Sequence, residues 1–148
     1  MINVVKNNRQ KYLQEIISHL DDYSYRSKRY NIEFSLAIGL CNESIDLTTF
    51  INFKRKTDTF ITLETNLCCI VLDCTAADSA IKTASNLLSV FQSKYFNKEL
   101  FTAVVTSKDY DDNNNRMIND LFDILDYSVS NNMDNLVLDQ SQMLEQNH

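Results

Sequence analysis

RKTDTFITLETNLCCIVLD, Arg55 to Asp73, is the stretch whose reading decides the fold. Thr59 to Thr65 and Leu67 to Cys74 are strand-like runs, with only a tight connection at Thr65-Asn66 between them. That spacing predicts a β-hairpin. Asparagine tolerates the positive φ that such a turn can require.

Upstream, IEFSLAIGLC (Ile32 to Cys41) is almost continuously apolar and reads as a buried central strand. Before it, Tyr12, Leu13, Ile16, Ile17, Leu20 and Tyr23 recur at helical spacing, which predicts one amphipathic helix over residues 8–30. Arg26, Lys28 and Arg29 close that helix, where cations complement the negative end of its dipole. Between the central strand and the hairpin, Asp46 is placed to cap a short helix carrying Leu47, Phe50, Ile51 and Phe53.

Downstream, a helix starting at Thr75 or Asp78 would bury Ala80, Ile81, Ala84, Leu87, Leu88 and Phe91. Glu99 to Thr106 alternates as a strand, Ser107 to Asn115 reads as a surface loop, and Met117 to Ser130 reads as a helix. Leu136 to Leu138 can add a last strand. The order predicts one α/β domain over residues 1–139, with residues 140–148 as a flexible tail. Its sheet would be single, central and mostly antiparallel, of about five strands flanked by helices, in the ferredoxin-like manner.

Composition narrows the function. A net charge of −6 and the absence of a long basic run argue against a nucleic-acid partner. No run approaches the roughly 20 apolar residues of a membrane span. MINVVKNNRQ lacks the apolar core of a secretory signal, so a cytoplasmic location is expected. Cys41, Cys68, Cys69 and Cys74 form no Cys-x-x-Cys pair, and His19 and His148 are not spaced to join them, so no metal is expected. With one glycine, Gly39, and no proline, no glycine-rich phosphate loop is possible. The Asp- and Asn-rich stretch before Asn115 lacks the spacing and closing glutamate of a calcium loop. Glu64 and Asp73 flank opposite ends of the hairpin and read as exposed strand-end charges. Tyr23, Tyr25 and Tyr30 could form an exposed aromatic patch at the end of that helix, but the expected reading is core or half-buried.

Several segments, in order, resemble the GGDEF family, the diguanylate cyclase domain. Arg29-Tyr30 before Phe34-Ser35-Leu36 is similar to that family's entry into its first strand. Arg55 to Asp73 resembles its RxxD motif, strand, signature hairpin and apolar strand. Asp123-Ile124-Leu125-Asp126-Tyr127 and Asn135-Leu136-Val137 resemble its last helix and closing strand.

The departures bear on chemistry. Aligned through Asp58, the signature falls on Glu64-Thr65-Asn66-Leu67-Cys68. The two glycines that let the family's backbone approach a nucleotide become Glu64 and Thr65, and the two acidic positions become Asn66 and Leu67. The family's metal-binding aspartate near the end of its first strand is matched only by Gly39-Leu40-Cys41-Asn42. Phosphoryl transfer needs a divalent cation, and Mg²⁺ usually needs one or two carboxylates. The connection from Asn42 to Thr57 has room for one short helix, so the family's guanine pocket would be truncated.

The resemblance therefore implies a degenerate, catalytically inactive regulatory domain of bacterial signalling, without cofactor, acting by protein contact. It also implies an alternative. Arg55-Lys56-Thr57-Asp58 keeps the RxxD motif five residues before the signature, where relatives bind cyclic di-GMP. There Arg55 would hold phosphate and guanine, and Asp58 the guanine edge. An unrelated ferredoxin-like interaction domain is the third reading. A segment from Glu64 to Cys68 that is not a hairpin between adjacent strands would favour it.

Overall fold

The computed structural model describes the backbone of residues 2–142 and the side chains of residues 7–142. Helices α1 (Ile2–Ile17) and α2 (Asp21–Tyr30) lead into β1 (Ser35–Cys41). A 3-10 helix (Leu47–Phe53) precedes the hairpin of β2 (Thr59–Glu64) and β3 (Leu67–Leu72). Then come α3 (Ala77–Lys94), β4 (Leu100–Thr106), a 3-10 turn (Ser107–Tyr110), α4 (Asn114–Ser130) and β5 (Val137–Leu138).

The five strands form one sheet in the order β2-β3-β1-β4-β5. β1 pairs antiparallel with β3 on one side and β4 on the other, with Ser35 opposite both Leu72 and Thr106. Only β5 runs parallel to its neighbour, β4. This is the expected α/β architecture, mostly antiparallel and flanked by helices.

Alternation along β1 divides the core into two layers. Leu36, Ile38 and Leu40 face α1 and α4, against Tyr12, Ile16, Leu121, Phe122 and Leu125. Ala37 faces α3, against Ala80 and Ala84, and Cys41 packs with the 3-10 helix residues Leu47 and Phe50. β1 is apolar on both faces because both faces are covered.

The second layer is less completely filled. A cavity of about 70 Å³ lies between the sheet, α3 and the 3-10 helix.

Several boundaries differ from those expected. The single helix over residues 8–30 is two helices, broken after Ile17. His19 N–H bonds to Ile16 O and Leu20 N–H to Ile17 O, both at 3.0 Å, so the last turn tightens and redirects the chain. Asp21 and Asp22 stand in the first turn of α2, where carboxylates favour a new helix start.

The loop expected over Ser107 to Asn115 contains the 3-10 turn, which buries Ser107 and Tyr110, and the start of α4. Asn113 caps α4 by accepting from Arg116 N–H at 3.1 Å. Asp46 caps the 3-10 helix as expected, accepting from Thr48 N–H at 2.9 Å. The expected tail is tied at its first residue, where Tyr110 Oη donates to Gln140 Oε1 at 2.9 Å. Residues 143–148 of that tail lie outside the described residues.

Candidate functional site

The segment Glu64-Thr65-Asn66-Leu67-Cys68 forms the tip between adjacent strands β2 and β3. Neither Thr65 nor Asn66 adopts the positive φ expected of Asn66. A register shift between Thr62 and Glu64 accommodates the turn instead.

Polar groups at this tip are engaged within the fold. Glu64 Oε1 accepts from Tyr12 Oη at 2.8 Å. Burial and this carboxylate push the Tyr12 hydroxyl pKa up to about 12. Asn66 Nδ2 donates to Cys41 O at 2.9 Å, and Asn66 O accepts from Cys41 N–H at 3.0 Å. Thr65 O accepts from Leu47 N–H at 2.8 Å, which ties the 3-10 helix to the hairpin.

Leu67 and Cys68 are buried on opposite faces of the sheet. Burial pushes the Cys68 thiol pKa up to about 12, with the Asp46 charge adding to the shift. Burial likewise raises that of Cys69. Neither is poised as a thiolate nucleophile.

No group of three or more His, Cys, Asp or Glu side chains able to hold a metal occurs among the described residues. The end of β1 supplies a backbone carbonyl and Asn42, whose amide donates to Glu99. Around the end of β1 and the tip, the described residues thus offer a carbonyl and an engaged amide but no group of three or more ligating side chains, whereas Mg²⁺ is usually held by one or two carboxylates.

The Arg55-x-x-Asp58 motif is a closed clamp. Asp58 Oδ2 accepts from Arg55 N–H at 3.0 Å and from Arg55 Nε at 3.1 Å. Asp58 Oδ1 accepts from Arg55 Nη2 at 3.0 Å and from Asp73 N–H at 2.8 Å. The Asp58 side chain is only 2 % exposed, whereas that of Arg55 is 57 % exposed. Arg55 Nη2 also reaches Asp73 O and Thr75 Oγ1, so the loop before β2 is bound to the end of β3. The Asp58 hydrogen bond raises the pKa of the Arg55 guanidinium further.

Asp73 is not the exposed strand-end charge expected. Its side chain is 12 % exposed and pairs with Arg26 Nη1 at 2.9 Å. Glu64 is half-buried at the opposite end of the hairpin. From α2, Tyr23 Oη donates to Thr57 O at 2.9 Å, while Arg26 lies 5.0 Å from the Tyr23 ring centroid. Tyr23, Arg26, Asp73 and Thr75 thus complete the clamp. The motif's own spacing pointed to Arg55 and Asp58 alone, because the other four are distant in sequence.

Tyr25 and Tyr30 correct a further expectation. Only Tyr23 of the three tyrosines is buried, whereas Tyr25 and Tyr30 are each 58 % exposed. Their rings meet edge to face at 6.4 Å, and the Arg29 guanidinium lies 5.8 Å from the Tyr30 centroid. Tyr23 meets Phe34 while Tyr25, two residues on, lies on the solvent side of α2.

No family model and no curated protein matches the sequence. Solved structures do match the fold. One is an N-terminally shortened form of PA1120 (TpbB or YfiN) from Pseudomonas aeruginosa that comprises only its GGDEF domain. It superposes with a TM-score of 0.67 at 11 % identity, over 87 % of this chain and 91 % of that one. The fold is that of a GGDEF domain. A microbial GGDEF domain that interacts with bis-(3,5)-cyclic di-GMP superposes with a TM-score of 0.68 at 9 % identity, over 85 % of this chain and 91 % of that one. Within this GGDEF fold, Glu64 to Cys68 forms the hairpin tip and Arg55 to Asp58 leads into β2.

The clamp predicts losses from both ends. Asp58→Ala leaves the Arg55 and Asp73 N–H groups without their acceptor and should lower the unfolding free energy by about 1–3 kcal/mol. Arg55→Ala should cost a comparable amount, because it leaves the buried Asp58 carboxylate with backbone donors alone. Urea unfolding of both variants checks this. A loss below about 0.5 kcal/mol for Asp58→Ala would show that the clamp does not hold the loop.

Proposed function

We propose that this chain is a catalytically inactive regulatory domain of GGDEF fold that works through protein contact. One observation carries the reading: at the hairpin tip Glu64 bonds to Tyr12, Asn66 to Cys41 and Thr65 O to Leu47, and the described residues there form no group of three or more side chains able to hold a metal. Phosphoryl transfer depends on placing cations and donors around the moving phosphate. Here the positions that could do so carry an amide, an aliphatic side chain and a buried thiol.

The contact surface is assigned to the C-terminal half of α2. Tyr25 and Tyr30 present aromatic area without a covering element, beside the cations of Lys28 and Arg29 in the helix's last turn. Tyrosine and arginine are the side chains from which interface hot spots are most often built. No helix of the described residues is long and apolar enough to cross a membrane.

A second reading keeps the alternative of cyclic di-GMP at Arg55 and Asp58. In its favour, the Arg55 side chain is exposed and the hollow beside it is lined by Lys54, Thr75, Ser79 and Thr83. Against it, Asp58 accepts four hydrogen bonds within the chain, so no carboxylate lone pair faces outward for a guanine edge.

Three outcomes are expected. Incubation of the purified chain with GTP and Mg²⁺ or Mn²⁺ should yield no cyclic di-GMP above the buffer blank, and measurable turnover would refute the inactive reading. A photo-crosslinking residue at Tyr30 should capture one discrete protein in cells, and that adduct should vanish when Tyr25→Ala is added. Adducts indifferent to Tyr25→Ala would remove α2 as the contact surface. Calorimetric titration with cyclic di-GMP at tens of micromolar protein should give no heat, and heat that disappears in Arg55→Ala would move the conclusion to the receptor reading.

A further inference from the structure

On the face of the sheet that carries α3, the covering layer is uneven. α3 lies mainly over β4 and β1, while β3 meets the short 3-10 helix. A groove is left between the two helices. One end is lined by Phe50, Phe60, Leu87 and Phe91, the other by Phe53, Lys54, Ser79 and Thr83, and Ile70 and Leu87 belong to both ends. Phe60 and Ile70 stand opposite each other on β2 and β3 beneath it. Ser79, Thr83, Leu87 and Phe91 recur every four residues, so the groove follows α3 for about 18 Å.

Aromatic rings gather at this groove. The Phe50 centroid is 6.0 Å from that of Phe53, 6.0 Å from that of Phe91 and 6.2 Å from that of Tyr95. Phe53 belongs to this stack and is nevertheless 53 % exposed. The free charges beside the rings are of one sign. Lys94 Nζ lies 5.5 Å from the Phe50 centroid and 5.6 Å from that of Tyr95, and Lys54 lines the far end. Neither lysine pairs with a carboxylate among the described residues. The one carboxylate in the lining, Asp58, is taken up by Arg55.

We infer that this groove docks an amphipathic helix of a partner protein, apolar toward Phe50, Phe53 and Phe60 and acidic toward Lys54 and Lys94. About three turns of helix match its length. A helix laid there would cover β2 and β3 on this face, and such a groove takes the apolar stripe of a helix. Unpaired lysines at both ends select carboxylates over cations on that helix. The net charge of −6 does not oppose this, because charges more than about 8 Å away are largely screened at physiological ionic strength. The recessed lining suits inserted side chains rather than the flat surface of a bilayer. This surface is separate from that of α2, whose Tyr23 packs on the opposite face of the sheet, so it rests neither on that contact nor on the absence of cyclase activity.

Two synthetic helical peptides test it. One carries leucine at helical spacing with glutamate elsewhere, and the other has lysine in place of every glutamate. Each is titrated into the ¹⁵N-labelled chain and followed by amide NMR. The glutamate peptide should give saturable shifts in the 3-10 helix, β2, β3 and α3, and should bind at least about fivefold tighter than the lysine peptide. Lys54→Glu combined with Lys94→Glu should reverse that order, whereas Tyr25→Ala should leave it unchanged. Phe53→Ala, at an exposed position, should weaken the glutamate peptide by about threefold or more. No saturable shift at millimolar peptide, or equal affinity for the two peptides, would overturn the proposal. So would the same amides shifting with protein concentration alone, which assigns the groove to a second copy of this chain, or with phosphatidylcholine–phosphatidylserine vesicles, which assigns it to a membrane.

Discussion

Double pairing of β1 constrains everything around it. Its seven residues bond to β3 along one edge and β4 along the other, and both faces are covered. A strand so enclosed has no edge for water, so its backbone must be satisfied by the ladders and its side chains by packing. That requirement places α1 and α4 on one side and α3 with the 3-10 helix on the other. It also puts the hairpin beside β1, which lets Asn66 bond to Cys41.

The layers on the two sides are unequal in depth. α1 and α4 bring large side chains such as Tyr12, Met117 and Phe122 against Leu36 and Ile38. The opposite face has one long helix and one short 3-10 helix, because only Asn42 to Thr57 links β1 to the next strand. Small residues there leave an apolar hollow beside Phe50 and Phe91.

The two motif regions follow one rule. At the tip and at the clamp, side chains that could have faced a ligand are turned toward the chain itself. Tyr12 takes up Glu64, Cys41 takes up Asn66, and Arg55 with Asp73 N–H takes up Asp58. A buried carboxylate demands donors, and backbone and guanidinium supply them here without a ligand. The hairpin is thereby fastened to α1, β1 and the loop before β2. α2 joins through Tyr23 and Arg26 and is left with Tyr25 and Tyr30 uncovered.

Local pattern alone determined the elements. The apolar run from Ile32 to Cys41 specified a central strand, Thr65-Asn66 a hairpin turn, and Asp46 the cap of a short helix, because periodicity and capping act over a few neighbouring residues. The altered residues at Glu64 to Cys68 were equally legible, since the loss of glycine and carboxylate is a matter of residue type. Tertiary structure decided the rest. Whether Asp58 faces solvent depends on Asp73, fifteen residues away, and the break at Ser18 to Leu20 is one that helical periodicity runs straight through. Partners that meet only after the sheet has closed leave no periodic trace in the chain, so burial and pairing at the clamp had to wait for the fold.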